Sequence, residues 1–147
     1  MTLSESVKLC LGPKYLFRFA GRASRSEFWW FMLFIFGVNL ATGLLFALLP
    51  PMLSASLSLA VSLALLPANL GVTVRRFHDR NLSGWWLLLP IALLFLWLAA
   101  GGPNQEPGLL ASGVSLAMCV CYLAILCSPG TPGPNKYGPP AVLPQAG

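Results

Sequence analysis

Charge is scarce in this chain. Only 9% of its 147 residues are Asp, Glu, Lys or Arg, against 56% hydrophobic ones, and histidine occurs once. A composition this apolar excludes an ordinary soluble domain, and the length permits one compact unit. A single histidine leaves too few donors for a zinc site, so neither metal nor cofactor is expected. The four cysteines do not read as a disulfide framework. Cys10 lies near the N-terminus on the face expected to be cytoplasmic, where thiols stay reduced. Cys119, Cys121 and Cys127 sit in an apolar run, where cysteine packs as a small hydrophobe. Cys119 and Cys121 would point about 200° apart on a helix and cannot chelate one ion.

The charge is missing in blocks. Runs without Asp, Glu, Lys, Arg or His cover residues 28–49, 53–74, 85–100 and 109–127. A spanning helix needs roughly 20 apolar residues to cross about 30 Å of hydrocarbon. The first two runs meet that length and the fourth nearly does. The third fits only with little tilt, a thinner bilayer, or extension into Ser83-Gly84 and Gly101-Gly102. Pro50-Pro51 separates the first two runs, and the Gly/Pro-rich segment 101–108 reads as a turn between the last two.

All nine cations then fall on one side. Lys8, Lys14, Arg18, Arg22 and Arg25 precede the first run, Arg75, Arg76 and Arg80 lie between the second and third, and Lys136 follows the fourth. The positive-inside rule assigns that side to the cytoplasm, leaving Glu106 alone on the other. Three spans would carry Lys136 across, so the pattern selects four. The late start of the first run and the spans behind it argue against a cleaved signal peptide. The expectation is an all-α membrane protein: a four-transmembrane-helix bundle over 28–127, preceded by a short interfacial amphipathic segment within 1–27. Residues 128–147 form a cytoplasmic Gly/Pro-rich tail, so both termini are cytoplasmic. Leu3, Val7, Cys10 and Leu11 share a helical face, and Tyr15, Phe17 and Phe19 alternate with Lys14, Leu16 and Arg18. Such basic-aromatic segments lie along the headgroup layer.

Polar residues inside the runs are few. Ser54, Ser58, Ser62, Asn69 and Thr73 fall within about 100° of helical arc. That stripe serves close helix packing or, on the sharper reading, lines a hydrophilic path. Asn39 sits mid-run and needs a partner for its amide, in Asn69, in the stripe or in another copy of Asn39. Pro67 and Pro90 should kink their helices. The lack of ionisable residues in the runs argues against a pump or a proton-driven transporter.

Three polar motifs punctuate the ends of the runs. The first is Gly21-Arg22-Ala23-Ser24-Arg25-Ser26-Glu27-Phe28-Trp29-Trp30, in which Ser24 and Glu27 have capping-box spacing. The second is Arg75-Arg76-Phe77-His78-Asp79-Arg80-Asn81-Leu82-Ser83-Gly84-Trp85-Trp86. There Ser83 can cap the third run, Asn81 suits a turn with positive φ, and the tryptophans of both motifs suit headgroup depth. The third is Gly130-Thr131-Pro132-Gly133-Pro134-Asn135-Lys136-Tyr137-Gly138. Together they resemble the bacterial membrane family called domain of unknown function 805. Its members look like Gly-Arg-Ala-Ser-Arg-x-Glu-Phe-Trp-Trp, Arg-Arg-x-His-Asp-x-Gly-x-Ser-Gly-Trp-Trp and Gly-Thr-x-Gly-x-Asn-x-Tyr-Gly. Asn81 stands here for the usual glycine, Phe77 for leucine, and Pro139-Pro140 for a tail that often carries aspartate. The resemblance implies a multi-pass inner-membrane protein without an established biochemical activity.

Two sets of residues are candidates for function. His78 beside Asp79 suggests acid–base chemistry at the interface. The simpler reading pairs Asp79 and Glu27 with arginines and lets His78 bond a helix end. Arg22, Arg25, Arg75, Arg76 and Arg80 converge on one membrane face, where each cation contributes about 1 kcal/mol of attraction to an anionic leaflet. They either bind an anionic phospholipid or acidic partner, or merely enforce topology. The expected role is a non-enzymatic membrane component that binds lipids or proteins in the bilayer, including a second copy of itself. The alternatives are a small transporter or channel subunit, resting on the serine stripe, and an interfacial enzyme using His78 and Asp79. A nucleic-acid role has no separate basic module to support it.

Overall fold

The computed structural model describes residues 1–99 and 109–141. The expected turn at 101–108, with Glu106, and the end of the tail at 142–147 lie outside them. The chain is helical: α1 (Leu3–Leu11), α2 (Arg25–Phe46), α3 (Pro51–Asp79), a 3-10 turn (Gly84–Leu87) running into α4 (Leu88–Ala99), and α5 (Leu109–Cys127). Among the described residues no strand forms, and one isolated antiparallel bridge joins Asn135 and Gly138 in the tail.

Local chemistry sets the ends of these elements. Thr2 and Glu5 form a reciprocal capping box on α1, the Glu5 carboxylate accepting from Thr2 N at 2.8 Å. Ser24 caps α2 by accepting from Glu27 N at 3.1 Å. Glu27 does not complete the expected box, because its carboxylate is drawn away to Arg75. Pro51 opens α3 at a position where its missing N–H costs nothing. The helix runs through Pro67 and closes on Asn81, whose φ of 60° is the left-handed conformation expected there. Leu82 N donates to Phe77 O and Asn81 N to His78 O, both at 3.0 Å. This is the Schellman pattern that satisfies the last carbonyls of a helix.

α2 and α3 are long and apolar enough to cross a membrane; the apolar helices Gly84–Phe95 and Ser112–Cys127 are shorter. At 1.5 Å per residue, the 29 residues of α3 extend about 43 Å. That exceeds the hydrocarbon thickness of about 30 Å by several turns. The polar end of α3, from Arg75 to Asp79, supplies about 7 Å of this excess.

Packing is concentrated at that end. Cys10, Ala23, Phe28, Phe31, Ala68, Val72, Phe77 and Leu126 form the buried core. Farther along, Leu40, Leu44, Leu48, Leu59 and Leu63 are exposed. Tyr122 of α5 stacks edge-on against Phe77 at 5.2 Å and donates to Trp86 O at 3.2 Å, tying α5 to α3 and to the turn before α4. In α1 the buried side is Ser6 and Cys10, while Leu3 of the expected apolar face is exposed. Two members of the polar stripe bond their own helix: Ser54 Oγ donates to Pro51 O and Thr73 Oγ1 to Asn69 O. Asn39 likewise donates to Ile35 O of its own helix at 3.0 Å, and not to Asn69.

Candidate functional site

The end of α3 brings two carboxylates and a cluster of guanidiniums together. Arg76 and Asp79 are one turn apart, and Arg76 Nη1 donates to Asp79 Oδ2 at 2.5 Å. Asp79 Oδ1 accepts from Arg22 at 2.8 Å, so one carboxylate serves two cations. Arg76 also donates to Leu126 O, through Nε at 3.1 Å and Nη2 at 3.0 Å, and to Ser128 O. Arg22 donates to Thr131 O at 2.6 Å and Gly133 O at 2.7 Å. Asp79's own carbonyl accepts from Thr131 N at 2.8 Å and Thr131 Oγ1 at 3.1 Å. The tail thus wraps the helix end, with Arg80 donating to Pro129 O. A methyl group at Gly130 would overlap the Asp79 carboxylate, so only glycine lets the tail come this close.

A second pair lies beside the first. Arg75 Nη1 donates to Glu27 Oε1 at 2.5 Å, with both side chains almost fully buried. Cys10 Sγ lies 3.9 Å from both Glu27 Oε1 and Arg75 Nη2, and Ser6 Oγ donates to Glu27 O at 2.6 Å. Burial, and then the Glu27 carboxylate, push the Cys10 thiol up to about 11. Ala23 N donates to Arg75 O at 3.0 Å, fastening the loop before α2 onto α3. Tyr15 presents its ring to the guanidiniums of Arg18 and Arg75, at 5.0 and 5.5 Å. Such aromatic faces attract cations.

His78 and Asp79 face different surroundings. The imidazole stacks on Tyr137 at 3.8 Å, nearly parallel, and its Nδ1 lies 3.2 Å from Gly21 O. His78 lies beyond the apolar part of α3, which stops at Val74. Burial holds its pKa below the ordinary imidazole value; the bond to Gly21 opposes this and Lys136 adds to it. A neutral ring donating Nδ1–H to Gly21 O fits this setting. Asn135 donates to His78 O at 2.9 Å and to Thr131 Oγ1 at 3.0 Å, and accepts from Tyr137 N at 2.9 Å.

The three motifs therefore build one junction. His78 bonds a loop carbonyl where a helix end was expected. The five arginines do converge, but three of them are not a free binding face: Arg22, Arg75 and Arg76 are buried, their charge taken by Glu27, Asp79 and tail carbonyls. Arg80 is half-buried, and Arg25 is exposed, without an ion pair among the described residues. Trp29, Trp30, Trp85 and Trp86 are exposed at the same end, and Ser83 accepts from Trp85 N at 3.4 Å. Gly84 lies against α3, where an added methyl would meet Val74 Cγ1 at 2.8 Å. Sequence reasoning singled out Gly21, Gly130 and Thr131 only as members of the motifs, without a role, and missed Ser6, which no motif contains.

No solved structure matches this chain. Escherichia coli K12 has three similar proteins. "Uncharacterized protein YiiR" is 33% identical over 85% of this chain and 86% of its own length. "Inner membrane protein YhaI" is 29% identical over 82% of each. "Inner membrane protein YhaH" is 28% identical over 82% of this chain and 84% of its own length. Two of the relatives are thus named as inner-membrane proteins, in keeping with the apolar helices of this chain. The family described as "Protein of unknown function (DUF805)" matches residues 16–139, a stretch that holds all three motifs, and the chain belongs to that family.

Proposed function

We propose that this is a non-enzymatic, four-span component of the bacterial inner membrane, with both termini cytoplasmic, that works by binding lipid or a membrane-protein partner. The observation that carries the reading is the bonding of Thr131 and Asn135 to the backbone of Asp79 and His78. Residues before α4 and after α5 meet, as an even number of crossings between them requires. The 3-10 turn and α4 together extend about 26 Å. A few ångströms of bilayer thinning would close the gap to about 30 Å. All the Lys and Arg residues precede, join or follow the helices at this end, the distribution of a cytoplasmic face.

The non-enzymatic part of the reading rests on the engagement of both candidate acid–base groups, Asp79 and His78, within the junction. Both Asp79 oxygens are engaged, and His78 is held between Gly21 and Tyr137. Neither is positioned to exchange a proton with a substrate at a shared point. Single cysteines at 81, 104 and 136, placed in a variant without native cysteines, test the topology with a membrane-impermeant maleimide on intact cells. Positions 81 and 136 are expected to stay unlabelled and 104 to react. Labelling of 136 without 81 would end the four-span reading.

A further inference from the structure

We propose that the groove between α2 and the end of α5 holds one anionic phospholipid, with its phosphate on Arg25 and an acyl chain along Met32, Leu33 and Phe36. The inference rests on the lipid-binding reading above and gives it a place and a headgroup charge.

Charge at this end is unbalanced. Six guanidiniums, those of Arg18, Arg22, Arg25, Arg75, Arg76 and Arg80, gather here, and the two carboxylates among them, Glu27 and Asp79, are buried and engaged. Arg18 and Arg25 are exposed; Arg18 stands over the Tyr15 ring, while Arg25 lies close enough to Arg76 for the two charges to repel. Cations left in excess at a low-dielectric boundary favour an anion beside them. Arg25 stands at the head of an open cavity of about 830 Å³, with Ser26 next to it, Trp29 and Trp30 below, and Cys127 on the facing helix.

The shape selects the occupant. From Arg25 to Phe36 the groove follows α2 for about 16 Å, close to half of a hydrocarbon core of about 30 Å. It is one leaflet deep, polar at its head and apolar below, and tryptophan is at home at that boundary. An amphiphile with an anionic head matches this profile. A second copy of the chain would have to bring a carboxylate to Arg25, and at this end its Glu27 and Asp79 are committed inside their junction and its Glu5 to the cap of α1.

Native mass spectrometry of the full-length protein, titrated with phosphatidylglycerol and with phosphatidylcholine, tests the site. Wild type is expected to retain phosphatidylglycerol preferentially. Arg25→Gln should cut that preference about fivefold, the factor for one cation near an anionic surface. Arg25 is exposed, so the variant should fold. A second measurement uses Trp85→Phe/Trp86→Phe/Trp97→Phe protein, in which Trp29 and Trp30 report alone. Phosphatidylglycerol brominated on its acyl chains should quench them more strongly than brominated phosphatidylcholine, and Arg25→Gln should erase the difference. A preference that survives Arg25→Gln overturns the groove while leaving lipid binding in place. No preference in wild type overturns both. Competition by glycerol phosphate as effective as by the lipid would overturn the acyl part of the site, and protection of Trp30 by dimerisation would assign the groove to a second copy instead.

Discussion

At the scale of single residues, Asp79 sets the stakes. Removing ions from water is costly, and the cost is recovered only when every partner is present. Asp79 holds Arg22 and Arg76 at once, and all three side chains are less than a tenth exposed. Asp79→Asn leaves both guanidiniums buried without an anion and should cost about 3–5 kcal/mol. Thermal unfolding of the detergent-solubilised protein measures this, and a melting temperature equal to wild type would refute it. Cys10 gives a second test. Its thiol is raised from 9.0 to about 11 by burial and by Glu27, so the folded state favours the protonated form. Stability from this group is complete below pH 9, falls as the pH rises towards 11, and is absent above it. With Cys119, Cys121 and Cys127 replaced by serine, maleimide should modify Cys10 about a hundredfold more slowly at pH 8 in folded than in denatured protein. Equal rates would place the thiol outside the Glu27–Arg75 pair.

At the scale of elements, the end of α3 meets three demands together. It must stop, reverse into α4, and accept the tail. Asn81 performs the stop in the left-handed region that few residues other than glycine enter readily. Asn81→Gly should be neutral within about half a kcal/mol, whereas Asn81→Val should lose about 1–2 kcal/mol in the same melting assay. Gly130 performs the docking. Gly130→Ala should push residues 130–138 off the helix end, read as faster amide exchange at Thr131 and Asn135 with α2 and α3 unaffected. Much of this was legible beforehand. The Asn81 turn, the caps at Ser24 and Ser83, and the pairing of carboxylates with arginines follow from residue type and short-range spacing. The partners did not follow. That Glu27 takes Arg75 while Asp79 takes Arg22 is a matter of how helices far apart in sequence meet. So is the seating of Thr131 on the Asp79 carbonyl. The same reason explains why Ser6, off the expected face of α1, turns inward beside Cys10: polar Glu27 and Arg75 are what the two pack against.

For the whole molecule, apolar helices and a polar junction divide the work. The helices expose their leucines along most of their length, while the buried core and ion pairs gather at one end. A chain built this way should lose most of its tertiary stability when that end is opened, with its helices intact. Removal of residues 129–147 is expected to lower the melting temperature sharply while leaving the far-UV helical signal of the membrane-embedded protein nearly unchanged. A truncated protein as stable as wild type would mean that the tail only decorates the junction.

Arg22 comes early in the chain, yet the carbonyls that receive it belong to Thr131 and Gly133 near its end. During synthesis Asp79 becomes available to this guanidinium first, and the carbonyls of Thr131 and Gly133 only later. A nascent chain stalled anywhere before the tail therefore carries this junction unfinished, with Arg22 held by Asp79 alone.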